Sequence, residues 1–137
     1  MNCRYSPLYL PAADLGSTRT AREHVRTTLD TWDLAEVSDV VLQVAHELVA
    51  NALEHGAGGA VGVFLALETD ALTVTVSSEG VPREPLRVRE VEPDDERGRG
   101  LLMVDALADD WDHYVTPTGV SVWATFTCLN HGQEPPR

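Results

Sequence analysis

Three polar residues, Glu47, Asn51 and His55, recur every fourth position within "HELVANALEHG" (46–56), a stretch otherwise composed like a core-packing helix. That spacing sets them in one slowly drifting stripe along a helix. A carboxylate at Glu47 can orient or deprotonate a nucleophile. One turn on, the side-chain oxygen of Asn51 suits a hard cation such as Mg2+, which binds few protein ligands and takes the rest from phosphates and water. Downstream, "SSEGVP" (77–82) follows a strand-like run and "GRGLL" (98–102) opens a helix-like one. Gly98 and Gly100 at a helix start leave backbone N–H groups open to close approach by a phosphate, and the helix dipole favours negative charge there. Taken singly, these signals are weak. The stripe also describes the wet side of an amphipathic helix, the two glycines a tight turn, and Ser78 a plain strand end. A zinc reading of His46, Glu47 and His55 fails, because H-E-x-x-H needs histidine where Ala50 stands. His55 is expected to cap or pack near the helix C-terminus.

The elements that must position these groups follow from periodicity. Residues 3–10 predict a short edge strand, with Pro7 suited to an edge. A helix is expected from Ser17, its N-cap, to Trp32, with Ala21, Val25, Leu29 and Trp32 at helical spacing. A second runs from Leu34 or Glu36 to His55, burying Val37, Val41, Val44, Leu48 and Ala52, and Gly56 stops it. After the "GAGGA" turn (56–60) two β-rich runs, "AVGVFLALE" and "ALTVTVSS", are joined through Thr69 and Asp70 as a hairpin. In the second run Leu72, Val74 and Val76 alternate with Thr73, Thr75 and Ser77, so one face is buried.

From Pro82 to Arg97 the chain carries three prolines, six acidic residues and four arginines without apolar periodicity. This predicts a surface loop of about 15 residues, long enough to imply a function. A third helix then places Leu101, Leu102, Val104 and Leu107 inward, and strands near 111–115 and 120–127 flank a turn at 117–119. The order β-α-α-β-β-loop-α-β-β predicts an α+β fold: a two-layer α/β sandwich whose mixed, mostly antiparallel sheet carries about three helices on one face. Trp32, Trp111 and Trp123 are expected as core or edge aromatics. Residues 1–129 are read as one domain and 130–137 as a flexible tail.

Length and composition agree with a single globular core. At 137 residues and 14.9 kDa the chain has enough surface to bury without staples. Cys3 and Cys128 lie near opposite ends, so reduced thiols in a cytoplasmic protein are expected rather than a disulfide. No apolar run approaches the roughly 20 residues that span a bilayer, and no signal-peptide pattern opens the chain. The net charge is −12, and all 10 basic residues are arginines without a basic cluster. A phosphate backbone would be repelled, so nucleic-acid binding is disfavoured. A nucleotide would need local positive potential from helix N-termini, a few arginines or a metal.

Taken together, these motifs resemble the histidine-kinase-like ATPase superfamily, and within it the small anti-sigma-factor serine kinases of Gram-positive bacteria. "ELVANALEHG" is similar to that branch's N-box, E-L-V-x-N-A-x-x-H-G, "GRGLLMVDALAD" to its G2 box, and "GVSVWATF" to its last strand. The resemblance spans roughly residues 10–128. It implies a Bergerat-type site for ATP and Mg2+, in which Asn51 chelates the metal and Glu47 is the general base. Ser78, Gly80, Gly98, Arg99, Gly100 and Leu101 would line the nucleotide, under a lid formed by 83–97. It further implies a protein serine/threonine kinase that phosphorylates a serine of an antagonist protein, sequesters a sigma factor, or both. By resemblance alone, a homodimer is the expected assembly.

One position departs from the pattern. The family's G1 box begins with an aspartate that accepts a hydrogen bond from the adenine amino group; "VTVSSEGVP" puts Ser78 there and keeps Gly80 in place. A hydroxyl still accepts such a bond, but without charge assistance it gives up about 1 kcal/mol or more, roughly a ten-fold loss of affinity. Glu79 could substitute only from the opposite side of an extended chain. The acidic lid run "EVEPDDE" adds repulsion unless Arg97 and Arg99 offset it. These departures support an alternative: a non-catalytic partner-binding module with a degenerate nucleotide site.

Overall fold

The structure, a computed structural model, describes residues 3–11, 14, 16–55, 59–79 and 96–128, with the backbone alone at 55 and 96–100. The expected lid as far as residue 95, Gly80 and the tail at 130–137 lie outside the described residues; positions 96 and 97, expected in the lid, open a helix instead.

Strand β1 (Cys3–Leu10) leads to helix α1 (Ser17–Thr31), a 3-10 turn (Ala35–Val37) and helix α2 (Ser38–His55). Strands β2 (Val61–Glu68) and β3 (Ala71–Glu79) form a hairpin, helix α3 (Glu96–Leu107) follows, and β4 (Asp110–Thr116) and β5 (Gly119–Thr127) close the order. The five strands lie as β1-β2-β3-β5-β4. Although a mixed sheet was the expectation, all four pairings are antiparallel. The reason lies in the crossover. Strand β3 ends beside Gly119 and β4 also ends opposite Gly119, so β3 and β4 run parallel, but β5 inserts between them and pairs antiparallel with both.

The helices and the strands β2, β3 and β5 bury the stripes their periodicity announces, whereas β1 and β4 at the sheet edges bury no residue fully. In β2, Val61, Val63, Leu65 and Leu67 are buried, and in β3 Leu72, Val74 and Val76. They meet Val25 and Leu29 of α1, Val41, Val44, Leu48 and Val49 of α2, and Val104 of α3 in one cluster. Fully burying each such side chain contributes about 1.5–3 kcal/mol. Trp32 closes this core, Trp111 packs against it, and Trp123 is half-buried on the other face of the sheet. The indole of Trp111 donates to Asp105 at 2.8 Å and so ties β4 to α3.

Three details differ from expectation. Ser17 is the first residue of α1, not its cap: Gly16 holds the N-cap position, and the Ser17 hydroxyl accepts the Asp14 N–H at 2.9 Å. In α3, Leu101 is 3% exposed but Leu102 is 41% exposed. Leu101, Val104 and Leu107 hold one face at three-residue spacing, and Leu102 lies about 100° around the helix from Leu101. Gly119 belongs to β5, leaving Pro117 and Thr118 as the turn. At the hairpin, Thr69 takes a positive φ of 53°, which a two-residue connection demands of its first residue.

Candidate functional site

Sheet register brings the candidate groups to one end of the molecule. Ser78 pairs with Val61, the first residue of β2, and with Val120, next to the start of β5. Only five residues separate the end of α2 from the start of β2, so the last turn of α2 lies toward that same end. The first turn of α3 also belongs there, because α3 hands the chain to β4 at Asp110, whose partner Thr125 is near the far end of β5. Hence Asn51, Ser78 and the α3 N-terminus lie toward one end of the sandwich.

Alternation along β3 fixes which way Ser78 faces. It has the parity of Leu72, Val74 and Val76, so it looks toward the helices, and it is half-buried. Glu79 takes the other side. Its carboxylate accepts the Ala60 N–H at 3.3 Å, while its own N–H donates to the Ala60 carbonyl at 3.0 Å. Glu79 therefore clamps the segment before β2 and is committed away from the helix-side face.

Asn51 is 8% exposed on α2, the helix packed against both β3 and α3. Four buried polar residues stand out among those described: Ser17, Thr28, Asn51 and Ser121. Ser17 accepts from Asp14, Thr28 bonds Ser6 at 2.9 Å, and Ser121 bonds Ser77 at 2.7 Å. Asn51 alone of the four has no hydrogen-bond partner among the described residues. Among the described residues the one fully buried side-chain polar atom without a partner is His46 Nδ1; the Asn51 amide makes no hydrogen bond but keeps contact with solvent, which leaves it open to a ligand.

The backbone of Gly98, Arg99 and Gly100 lies within the first turns of α3, not in a turn ahead of it. Each glycine inside a helix costs about 1 kcal/mol relative to alanine, and this helix carries two near its start. The first four N–H groups of a helix have no intrahelical acceptor. Leu101, expected to line the nucleotide, is 3% exposed and built into the helix layer.

Glu47 is half-buried, one turn before Asn51. Its surroundings were not anticipated from sequence. It stands at one end of a groove of about 350 Å3 between α1 and α2, which also holds Arg22, Arg26, Asp39, Gln43 and His46. The signal was present in the four-residue spacing of Arg22 with Arg26 and of Asp39, Gln43 and Glu47 on successive helices. A second unanticipated residue is Gly119. A β-carbon there would collide with the carbonyl oxygen of Ser78, so β5 can approach the end of β3 this closely only with glycine.

Among the described residues no three His, Cys, Asp or Glu side chains cluster to cage a metal. A magnesium ion at Asn51 would therefore rely on phosphate and water for most of its shell, which is its common habit. Cys3 and Cys128 are both free, the first exposed and the second buried. No helix among the described residues is long and apolar enough to cross a membrane.

The chain belongs to the histidine kinase-like ATPase domain family, whose model matches residues 11–126. No curated protein matches the chain significantly. Membership establishes the class: a histidine kinase-like ATPase domain of α+β fold, here with five antiparallel strands and three α-helices among the described residues.

Proposed function

We propose that this chain is an ATP-dependent regulatory protein of the anti-sigma-factor serine kinase type, acting in the cytoplasm through a protein partner. The observation that carries the reading is the position of Asn51, whose solvent-touching amide makes no hydrogen bond among the described residues, at the end of the fold where Ser78 and the α3 N-terminus also lie. In this reading Asn51 offers its oxygen to Mg2+. Amides at the start of α3, with Gly98, Arg99 and Gly100, receive the phosphates. The Ser78 hydroxyl meets the adenine edge beside Gly80, with Leu101 behind it. Glu47 accepts the proton of the attacking serine hydroxyl. Bound Mg-ATP supplies the phosphoryl group and neutralises the charge that develops on it; for the protein, catalysis is mainly a matter of positioning. The serine belongs to an antagonist protein, and a sigma factor is the second expected partner.

A second reading has its own support. Ser78 carries no charge where the family places a carboxylate, and Glu79, the nearest carboxylate, is bound to Ala60 on the opposite side. A partner-binding module that no longer uses the nucleotide would look the same at these two residues.

Calorimetry with Mg-ATP separates the readings. The kinase reading expects measurable binding by the wild type, loss in Asn51→Ala, and roughly ten-fold tighter binding in Ser78→Asp. Equal binding by wild type and Asn51→Ala rejects the site. No binding by wild type, with recovery in Ser78→Asp, supports the docking module.

A further inference from the structure

The groove between α1 and α2 has walls of opposite charge that do not neutralise each other. Arg22 and Arg26 stand one turn apart on α1, both exposed. Asp39, Gln43 and Glu47 stand at the same interval on α2, with Leu42 buried among them. Neither arginine forms an ion pair among the described residues. Residues 32–34 join α1 to the turn before α2, so the helices run antiparallel, with Arg26 toward Gln43 and Asp39, and Arg22 toward Glu47. Unpaired opposite charges lining an open cavity of about 350 Å3 leave both signs free for a ligand; that volume lies at the small end of ligand-sized cavities.

The spacing selects the occupant. Charges one helical turn apart repeat about every 6 Å along each wall. Every second side chain of an extended peptide repeats about every 6.7 Å on one side, and successive side chains point to opposite sides. An extended segment laid along the groove would therefore match both walls at once, with odd residues on the arginines and even residues on Asp39, Gln43 and Glu47. A helix would not, because it presents one face at a time.

We propose that this groove seats the phosphoacceptor segment of the substrate protein, as an extended chain with its serine hydroxyl at Glu47 and acidic residues one and three positions to one side, at Arg22 and Arg26. The inference rests on the role of Glu47 given above, but not on nucleotide affinity. The protein has a net charge of −12, and within this groove Arg22 and Arg26 are the two cations that offset it for an acidic segment, which makes them the discriminating feature. His46 belongs to the same groove, and its Nδ1 is buried without a partner.

The test uses the full chain, isotopically labelled and free of nucleotide, titrated with three synthetic peptides followed by NMR. Each carries a single serine: one has glutamate at the first and third positions on both sides of it, one has lysine there, and one alanine. The expected result is amide shifts at Arg22, Arg26, Gln43 and Glu47 with the glutamate peptide, at least ten-fold weaker binding of the lysine peptide, and a reversed preference in Arg22→Glu/Arg26→Glu. Equal binding of the glutamate and lysine peptides, shifts confined to another face, or no binding by any peptide overturns the groove assignment. Because nucleotide is absent, failure of ATP binding leaves this result standing, and intact ATP binding without peptide preference removes the groove alone.

Discussion

The carbonyl oxygen of Ser78 occupies the space that a β-carbon on Gly119 would need. Strand β5 meets β3 here through Val120 opposite Ser78 and Gly119 opposite Glu79, so the start of one strand fixes the end of the other. Gly119→Ala forces backbone against backbone, which no rotamer change relieves. The expected outcome is destabilisation of about 1–3 kcal/mol, the usual range for overpacking. Thermal unfolding followed by circular dichroism would register this as a drop of several degrees. An unchanged midpoint would mean that the strands part without cost at this end.

Two adjacent leucines in α3 make a sharper comparison. Leu101 is 3% exposed and Leu102 is 41% exposed. Leu101→Ala is expected to cost about 2–5 kcal/mol through lost burial and the cavity left behind. Leu102→Ala should stay within about 0.5 kcal/mol, as for most surface changes. Urea denaturation of both variants measures the difference directly. Equal losses would place Leu102 in a contact that the isolated chain does not display.

Much of this architecture was legible from the chain because most strands and helices bury a regular stripe. The alternation of Leu72, Val74 and Val76 located β3 and its inner face, and the spacing of Val41, Val44 and Leu48 located α2. Legibility failed where tertiary placement decides. Leu101 and Leu102 are equally apolar, and only the helix's angular setting on the sheet separates them. Insertion of β5 between β3 and β4 is a pairing choice invisible to local pattern, which is why a mixed sheet was expected. At the candidate site, motifs singled out Asn51 and Ser78, but how deep Asn51 sits and which way Ser78 faces needed the fold. The groove at Arg22 and Arg26 escaped notice because its spacing is that of any solvated helix face until two helices are set side by side.

The thiols differ for a physical reason that reagents can detect. Cys3 is exposed at the start of β1, near Glu68, whereas Cys128 is buried after β5. Burial pushes the Cys128 thiol above its usual range, opposed by a backbone hydrogen bond from Leu72 and reinforced by the charges of Asp70 and Asp109. A neutral thiol is the inert form. At neutral pH a disulfide-exchange reagent should titrate Cys3 in the native protein and reach Cys128 only on unfolding. Because the pKa is raised in the folded state, this group's stabilising contribution is complete below the unfolded thiol pKa. It declines as pH rises through the folded value. Cys128→Ala should flatten that alkaline loss; equal reaction of both thiols in the native state would contradict the burial.

Ser78 and Glu79 are neighbours with opposite duties, and their alanine variants should separate those duties. Glu79 faces away from the helices and accepts the Ala60 N–H at 3.3 Å, while its backbone N–H completes the clamp through the Ala60 carbonyl at 3.0 Å. Glu79→Ala removes only the side-chain half of that clamp. It is expected to cost about 0.5–1.5 kcal/mol of stability, the usual worth of one such bond, and to leave Mg-ATP affinity within two-fold of wild type. Ser78→Ala, in contrast, should leave the unfolding midpoint nearly unchanged, because Ser78 is half-buried at a strand end. It should weaken Mg-ATP binding several-fold by removing the hydroxyl on the helix-side face. Paired calorimetry and thermal unfolding on the two variants read both quantities. If Glu79→Ala instead weakens ATP binding while Ser78→Ala does not, the adenine-side acceptor lies on the outer face of β3, and Glu79 takes the role assigned here to Ser78.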